Sequence, residues 1–415
     1  MTTQRLSTAD ARSIYLDTDL HSLAAAAHRI TTRLHPGPQR TYVVDRNINY
    51  ANYCTAKCIF CNFKADPPGM NSGRKDLPSG YVLTFDQIGE KIEELLAIGG
   101  TQILMQGGLV PKDLLPFAWY LDLLRFIRSQ FPTIHIHAFS PPEIWGMARE
   151  FDKSIYDVIC ELRDAGLDSI PGGGGEILSD RLRPKIGKDK GLSQDWLEVM
   201  RQAHRAGLNT SCTMMFGHIE TLDERLEHLQ LLRDLQDQSL ANAIPNARGQ
   251  TACFTAYICW TFQPDGTPLG RVRQRTPAEL ANADKLARLP DGIHLQLADA
   301  YEYLRMLALS RLFLDNIPHI QSSWVTQGPK IGQLALFYGA DDMGSVMMEE
   351  NVVSKAGATY RLEEAQIRRL IEEAGFQPVQ RDQFYQPVPQ HQPEQATHAA
   401  NRHHHRIALP IVQTV

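Results

Sequence analysis

Six times along this chain a long amphipathic stretch runs through a short turn, often with glycine, into a short apolar run. FDQIGEKIEELLAIG (85–99) leads to TQILMQ (101–106), and DLLPFAWYLDLLRFIRSQF (113–131) leads to IHIHAF (134–139). SPPEIWGMAREFDKSIYDVICELRDAG (140–166) precedes LDSIPGGGGE (167–176), and QDWLEVMRQAHRAG (194–207) precedes NTSCTMMFGH (209–218). LDERLEHLQLLRDLQD (222–237) and YEYLRMLALSRLFLDNI (301–317) stand before CFTAYICWTF (253–262) and IQSSWV (320–325). The strand-like TYVVDRNINY (41–50) comes before them all. Strands that are apolar throughout belong to sheets covered on both faces, and helix–strand alternation is the order of βα units around a parallel sheet. Seven strands favour an α/β fold of the TIM-like (β/α) barrel kind, partial or complete, over an open doubly wound sheet.

With 415 residues the chain is long enough for such a barrel plus additions. The rhythm predicts an N-terminal helical segment over 1–39, a barrel over 40–340 and a C-terminal helical extension over 341–385 packing on it. LANAIPNARGQ (240–250) and a stretch near 271–292 read as loop insertions. The end, 386–415, is rich in Pro, Gln and His and reads as a disordered tail. A formal net charge of −5 carries no nucleic-acid footprint. The start has no apolar leader, and no run of about 18 apolar residues suggests membrane insertion. A cytoplasmic location follows as the expectation, and there cysteines stay reduced.

In a barrel the chemistry gathers at the C-terminal ends of the strands, and the unusual residues fall there. After the first strand, residues 54–61 read CTAKCIFC, with Cys54, Cys58 and Cys61 spaced C-x3-C-x2-C and no fourth cysteine or histidine close by. Structural zinc wants four protein ligands, and a cubane cluster normally takes four thiolates. Three thiolates on a [4Fe–4S] cluster leave one iron open to a small chelating molecule; a zinc knuckle completed by a distant histidine is the alternative. The remaining cysteines, Cys160, Cys212, Cys253 and Cys259, sit in apolar runs and read as small core residues.

The later strands end in Gln106-Gly107-Gly108, in Ser140-Pro141-Pro142-Glu143, and in four glycines followed by Glu176. Then come Gly217-His218-Ile219-Glu220, Trp260-Thr261-Phe262-Gln263-Pro264, and a run from Ser322 to Gly328 that includes Trp324, Thr326 and Gln327. Glycines at such ends let a ligand approach the backbone. His218 titrates near neutrality and is the better base of the His218/Glu220 pair. Arg183 can pair a carboxylate bidentately. Trp260, Gln263, Trp324, Thr326 and Gln327 suit a pocket for an aromatic, polar substrate. Met214, Met215, Met347 and Met348 read as core filler.

The C-x3-C-x-aromatic-C spacing, with Phe60 as the aromatic, resembles the signature of radical S-adenosylmethionine enzymes. NINYANYCTAKCIFCNF, GGGGEILSDRLRPKI, SCTMMFGHIET, ICWTFQP and SSWVTQGPKIGQLALFYGADDMGS together resemble the dehypoxanthine futalosine cyclases of the futalosine route to menaquinone. Aminofutalosine synthases and the enzymes that build the deazaflavin chromophore share the cysteine motif. The resemblance implies a [4Fe–4S] cluster on Cys54, Cys58 and Cys61. It also implies S-adenosylmethionine near Phe60, Gln106, Gly107, Gly108, Ser140, Glu176 and Arg183, although Leu109 stands where an acidic residue is usual. The implied reaction begins with a 5′-deoxyadenosyl radical taking a ribose hydrogen from dehypoxanthine futalosine. The sugar radical attacks the substrate's own benzoate ring, and loss of an electron and a proton restores aromaticity. An electron donor such as a flavodoxin or ferredoxin is implied as partner. A sister radical activity, or a non-catalytic iron–sulfur or zinc-binding protein, is the alternative.

Overall fold

The computed structural model describes residues 5–274 and 294–389. Its strands are β1 Gln39–Val43, β2 Asp45–Ile48, β3 Lys57–Cys58, β4 Gln102–Met105, β5 His135–Ala138 and β6 Ser169–Ile170. They continue with β7 Gly187–Lys188, β8 Asn209–Phe216, β9 Phe254–Thr261, β10 His319–Gln321, β11 Asp342–Ser345 and β12 Gln377–Gln380. Ten of them form one sheet in the order β12-β1-β11-β10-β9-β8-β6-β5-β4-β2, and each pairing is parallel. Only Val44 separates β1 from β2, so the sheet curls until β11 and β4 flank one run of chain. The Val346 N–H donates to the Val43 carbonyl on one side, and the Thr101 N–H donates to the Val44 carbonyl on the other. This is the TIM-like α/β barrel that the alternation predicts.

The helices form where apolar spacing and a cap coincide. In Phe85–Ala97, Ile88, Ile92 and Leu95 recur on one face and are buried, and Thr84 and Gln87 make a reciprocal capping box. Those side chains pack against wholly buried sheet residues such as Ile103, Ile136 and Ile170, so the main core lies between helices and sheet. Two N-terminal helices, Thr8–Asp17 and Leu20–Leu34, lie outside this layer, the second packed on Ala300–Phe313.

Three features depart from the sequence reading. The 140–166 stretch is two helices, Pro141–Glu150 and Ile155–Ala165, broken where Asp152 takes φ 51°. The helix begun at Leu222 runs on to Asn242, so part of the presumed loop at 240–250 is helical. Most significantly, the seven expected strands are joined in the barrel by β11, whose sequence DMGS has no strand-like pattern, while β12 extends the sheet beside β1. The C-terminal extension therefore holds a helix, Glu364–Glu373, and a strand. Most of the 271–292 stretch, and the tail from 390 on, lie outside the described residues.

Candidate active site

The cysteine loop is fastened on three sides. The Cys54 N–H donates to Ala65 O, and the Thr55 N–H to Leu109 O. β3 pairs antiparallel with β7, setting Cys58 opposite Gly187. Lys64, buried at 3% exposure, donates to Ala56 O at 2.9 Å, and Arg74 donates to Cys61 O at 2.6 Å. Burial pushes the Cys58 thiol up to about 12 and raises that of Cys54, so both are neutral thiols that lose protons on binding metal.

All seven cysteines are free. Zinc–sulfur bonds of about 2.3 Å put the sulfurs of a tetrahedral site roughly 3.8 Å apart. Cys54, Cys58 and Cys61 are not gathered within 4.8 Å of one another; among the described residues the trio that is comprises His35, His319 and Asp341, at the opposite end of the strands. Cys212 and Cys259 are buried as expected of core residues, while Cys160 and Cys253 are partly exposed.

The glycines after β4 lie against this loop. A Cβ on Gly108 would stand 2.6 Å from the Cys54 Cβ, and one on Gly107 would stand 2.5 Å from the Tyr50 ring. The Leu109 N–H donates to Cys54 Sγ at 3.3 Å. Glu143, which the sequence placed at this strand end without a role, organises this corner. It accepts from the Gly107 N–H at 2.8 Å, the Tyr50 hydroxyl at 2.7 Å, and both the N–H and the hydroxyl of Ser140. The S-x-x-E spacing of a capping box was the signal for it. The hydroxyl of Ser140 is thereby committed to Glu143.

The glycine loop after β6 faces the cysteines from the other side. A Cβ on Gly173 would come within 2.5 Å of Gln106 Nε2, so the Gln106 amide lies close against this loop. Glu176 holds φ 32°, a strained value for a residue with a side chain. Its carboxylate takes a 2.5 Å hydrogen bond from Lys190, whose ammonium lies 5.0 Å above the Phe60 ring. Burial alone would lower the Lys190 ammonium, but the Glu176 carboxylate beside it outweighs burial and the net shift is upward. Lys190 has no motif in sequence to mark it. Arg183 is 4% exposed and donates to the carbonyls of Gly174, Gly175 and Gly191. It shapes the glycine loop through its Nε and Nη1 donors.

After β8, Glu220 accepts from the N–H groups of Gly217 and His218, and Arg225 binds it at 2.7 Å. Burial would raise this carboxyl, but His218 and Arg225 hold it down to about 2. His218 is fully buried, its Nδ1 3.0 Å from Glu220 and its ring edge-on to Phe262. Burial lowers its imidazole despite that carboxylate. On the next strands, Gln327 donates to the Thr261 hydroxyl at 2.6 Å, and Gln263 donates to the Thr261 carbonyl at 3.1 Å. The Thr326 and Ser323 hydroxyls lie 3.0 Å apart. Trp324 is buried with its indole N–H on Ser345 O, whereas Trp260 is half-exposed. Of the methionines read as core filler, Met214 and Met215 are buried, but Met347 and Met348 line a cavity of about 370 Å³.

Comparison with known proteins agrees with this geometry. The Radical SAM superfamily matches residues 48–232, and the CofH/MqnC C-terminal region matches residues 279–395. The chain is 41% identical to cyclic dehypoxanthine futalosine synthase of Halalkalibacterium halodurans, over 93% of this chain and 92% of that one. It is 39% identical to the synthase of that name from Streptomyces coelicolor, over 93% and 86%. Aminodeoxyfutalosine synthase of Thermus thermophilus is 34% identical over 93% of each. Among solved structures, methylornithine synthase superposes with a TM-score of 0.63 at 17% identity, over 91% of this chain and 95% of that one, a likeness of fold.

Proposed function

We propose, from the premise that this chain belongs to the radical SAM superfamily and carries the CofH/MqnC C-terminal region, that it cyclises dehypoxanthine futalosine by forming an intramolecular carbon–carbon bond, a step toward menaquinone. The reading rests above all on likeness to the two cyclic dehypoxanthine futalosine synthases over 93% of the chain. When bound, a [4Fe–4S] cluster and S-adenosylmethionine supply the 5′-deoxyadenosyl radical that abstracts hydrogen.

Cys54, Cys58 and Cys61 would hold the cluster. Gln106, Gly107 and Gly108 on one side and Glu176 with Phe60 on the other would cradle S-adenosylmethionine. Ser140 and Arg183 would act through backbone, the first by fixing Glu143 and the second by holding the glycine-loop carbonyls. Trp260, Gln263, Trp324, Thr326 and Gln327 would wall the substrate chamber and keep water from the radical. His218, whose imidazole burial lowers, would take the proton released as the ring regains aromaticity, and Glu220 would orient it. Reducing electrons would come from a flavodoxin or ferredoxin.

Anaerobic incubation of the reconstituted protein with dehypoxanthine futalosine, and separately with the substrates of aminodeoxyfutalosine and deazaflavin synthesis, tests the reading by product mass. Cyclised product from the first substrate alone is the expected result. Turnover of a sister substrate instead overturns it.

A further inference from the structure

We infer that the cavity beyond β10 and β11 is a subsite for an aromatic carboxylate, with Arg361 binding the carboxylate; this deepens the proposed function, whose substrate carries a benzoate. Val325, in the short helix after β10, and Met347 and Met348, after β11, form apolar walls, and Glu350, Tyr360 and Arg361 complete them. Those positions put the cavity at the C-terminal mouth of the barrel, on the side of the cysteines. Its wall is tied to them directly. Asn62, next to Cys61, donates to Lys355 O at 3.0 Å, and Asn351 donates to the Asn49 side chain at 3.2 Å. Gly328, at φ 83°, lets the Tyr360 ring close in, since a Cβ there would stand 2.9 Å from it.

The charges single out Arg361. The cations nearest the cysteines are matched: Lys64 by Asp66 at 3.1 Å, Arg74 by Asp76 at 3.1 Å, and Lys190 by Glu176. Arg183, which the sequence offered as a carboxylate partner, is spent on carbonyls. Arg361 has no hydrogen bond or ion pair among the described residues. Glu350 is the one carboxylate in the wall, and it is satisfied by the N–H groups of Val352, Val353 and Ser354 at 2.6–2.8 Å. Arg361 is exposed at the rim of the cavity, so its guanidinium fork is free to take a ligand beside a methionine-lined apolar wall, while the Glu350 carboxylate is held by backbone. A guanidinium fork matches the two oxygens of a carboxylate, and thioethers pack well on aromatic rings.

The test is anaerobic calorimetry on the cluster-loaded enzyme, titrated with dehypoxanthine futalosine and with its carboxamide analogue. Arg361→Gln should weaken the carboxylate on the order of 10- to 100-fold, the scale of charge-assisted hydrogen bonds, and leave carboxamide binding within about threefold. Arg361→Lys should fall between, and the cluster spectrum should not move. Equal binding of the carboxylate by wild type and Arg361→Gln overturns the subsite, as does equal loss of both ligands. Benzoate against benzamide separates this inference from the activity. Benzoate binding that depends on Arg361 in an enzyme that does not turn over dehypoxanthine futalosine breaks the assigned reaction and keeps the subsite. Benzoate binding indifferent to Arg361→Gln removes the subsite.

Discussion

The two ends of this barrel differ in what their paired charges surround. At the floor, where the strands begin, buried charges are matched. Arg381 enters from the C-terminal segment and pairs with Asp342, and the Ser345 hydroxyl and Gln102 both donate to Asp45. Arg311 and His319 hold Asp341 at 2.5 and 2.6 Å, and the Tyr385 ring stacks on His319 at 3.5 Å between centroids. At the mouth the charges beside the cysteines are paired too, but the three cysteines are free and partly exposed, Glu176 sits at a strained φ, and the exposed Arg361 has no ion pair among the described residues. The floor is arranged for stability, and the mouth keeps groups unsatisfied until ligands arrive.

The sharpest break of that contrast is at the mouth. Replacing Cys54, Cys58 or Cys61 singly with Ala should abolish the reconstituted cluster's absorbance and all formation of 5′-deoxyadenosine, while the unfolding midpoint of the metal-free protein stays close to wild type. Full cleavage activity in any one variant would remove that cysteine from the ligand set.

Arg381→Ala makes the converse break. It strands the buried Asp342 carboxylate, and losing one partner of a buried pair costs about 3–5 kcal/mol. Denaturant unfolding should show that loss, whereas S-adenosylmethionine cleavage per folded, cluster-loaded molecule should be unchanged. An unaltered midpoint would mean that the floor pair contributes nothing.

A smaller effect is expected from acid. His204 lies between Ser239 and Thr210 near the start of β8, and burial pushes its imidazole down to about 3. The unfolded chain, with an ordinary histidine value near 6.5, binds the proton first, so stability is lost as pH falls from about 6.5 toward 3. At about 1.4 kcal/mol per pH unit the contribution has an upper bound of ~5 kcal/mol. His204→Asn should flatten the pH dependence of unfolding across that window, and an unchanged slope would assign the acid lability to other groups.

What the sequence made legible follows from where the physics is local. Apolar runs such as IHIHAF and TQILMQ announce strands because both faces are covered. The cysteine motif is legible because its ligands fall within eight residues. DMGS stayed hidden because its Asp342 is made tolerable in the interior by Arg381, 39 residues further on, a pairing that no window of sequence contains. Lys190 and Arg361 were missed for a related reason. The first matters through Glu176 and the second through its lack of a partner, and both are tertiary facts. Arg183 shows the reverse error, in which a plausible carboxylate partner proves to be engaged by backbone.

The most direct test of the account is the stoichiometry of a single anaerobic reaction of the cluster-loaded wild-type protein with dehypoxanthine futalosine. In the proposed reaction a hydrogen atom would pass to the deoxyadenosyl radical, and an electron and a proton would leave as the ring regains aromaticity. The account therefore predicts a product lighter than its substrate by two hydrogens, formed in step with 5′-deoxyadenosine. Deoxyadenosine accumulating beside unchanged substrate, or a product with carbon added from a second molecule, would contradict it.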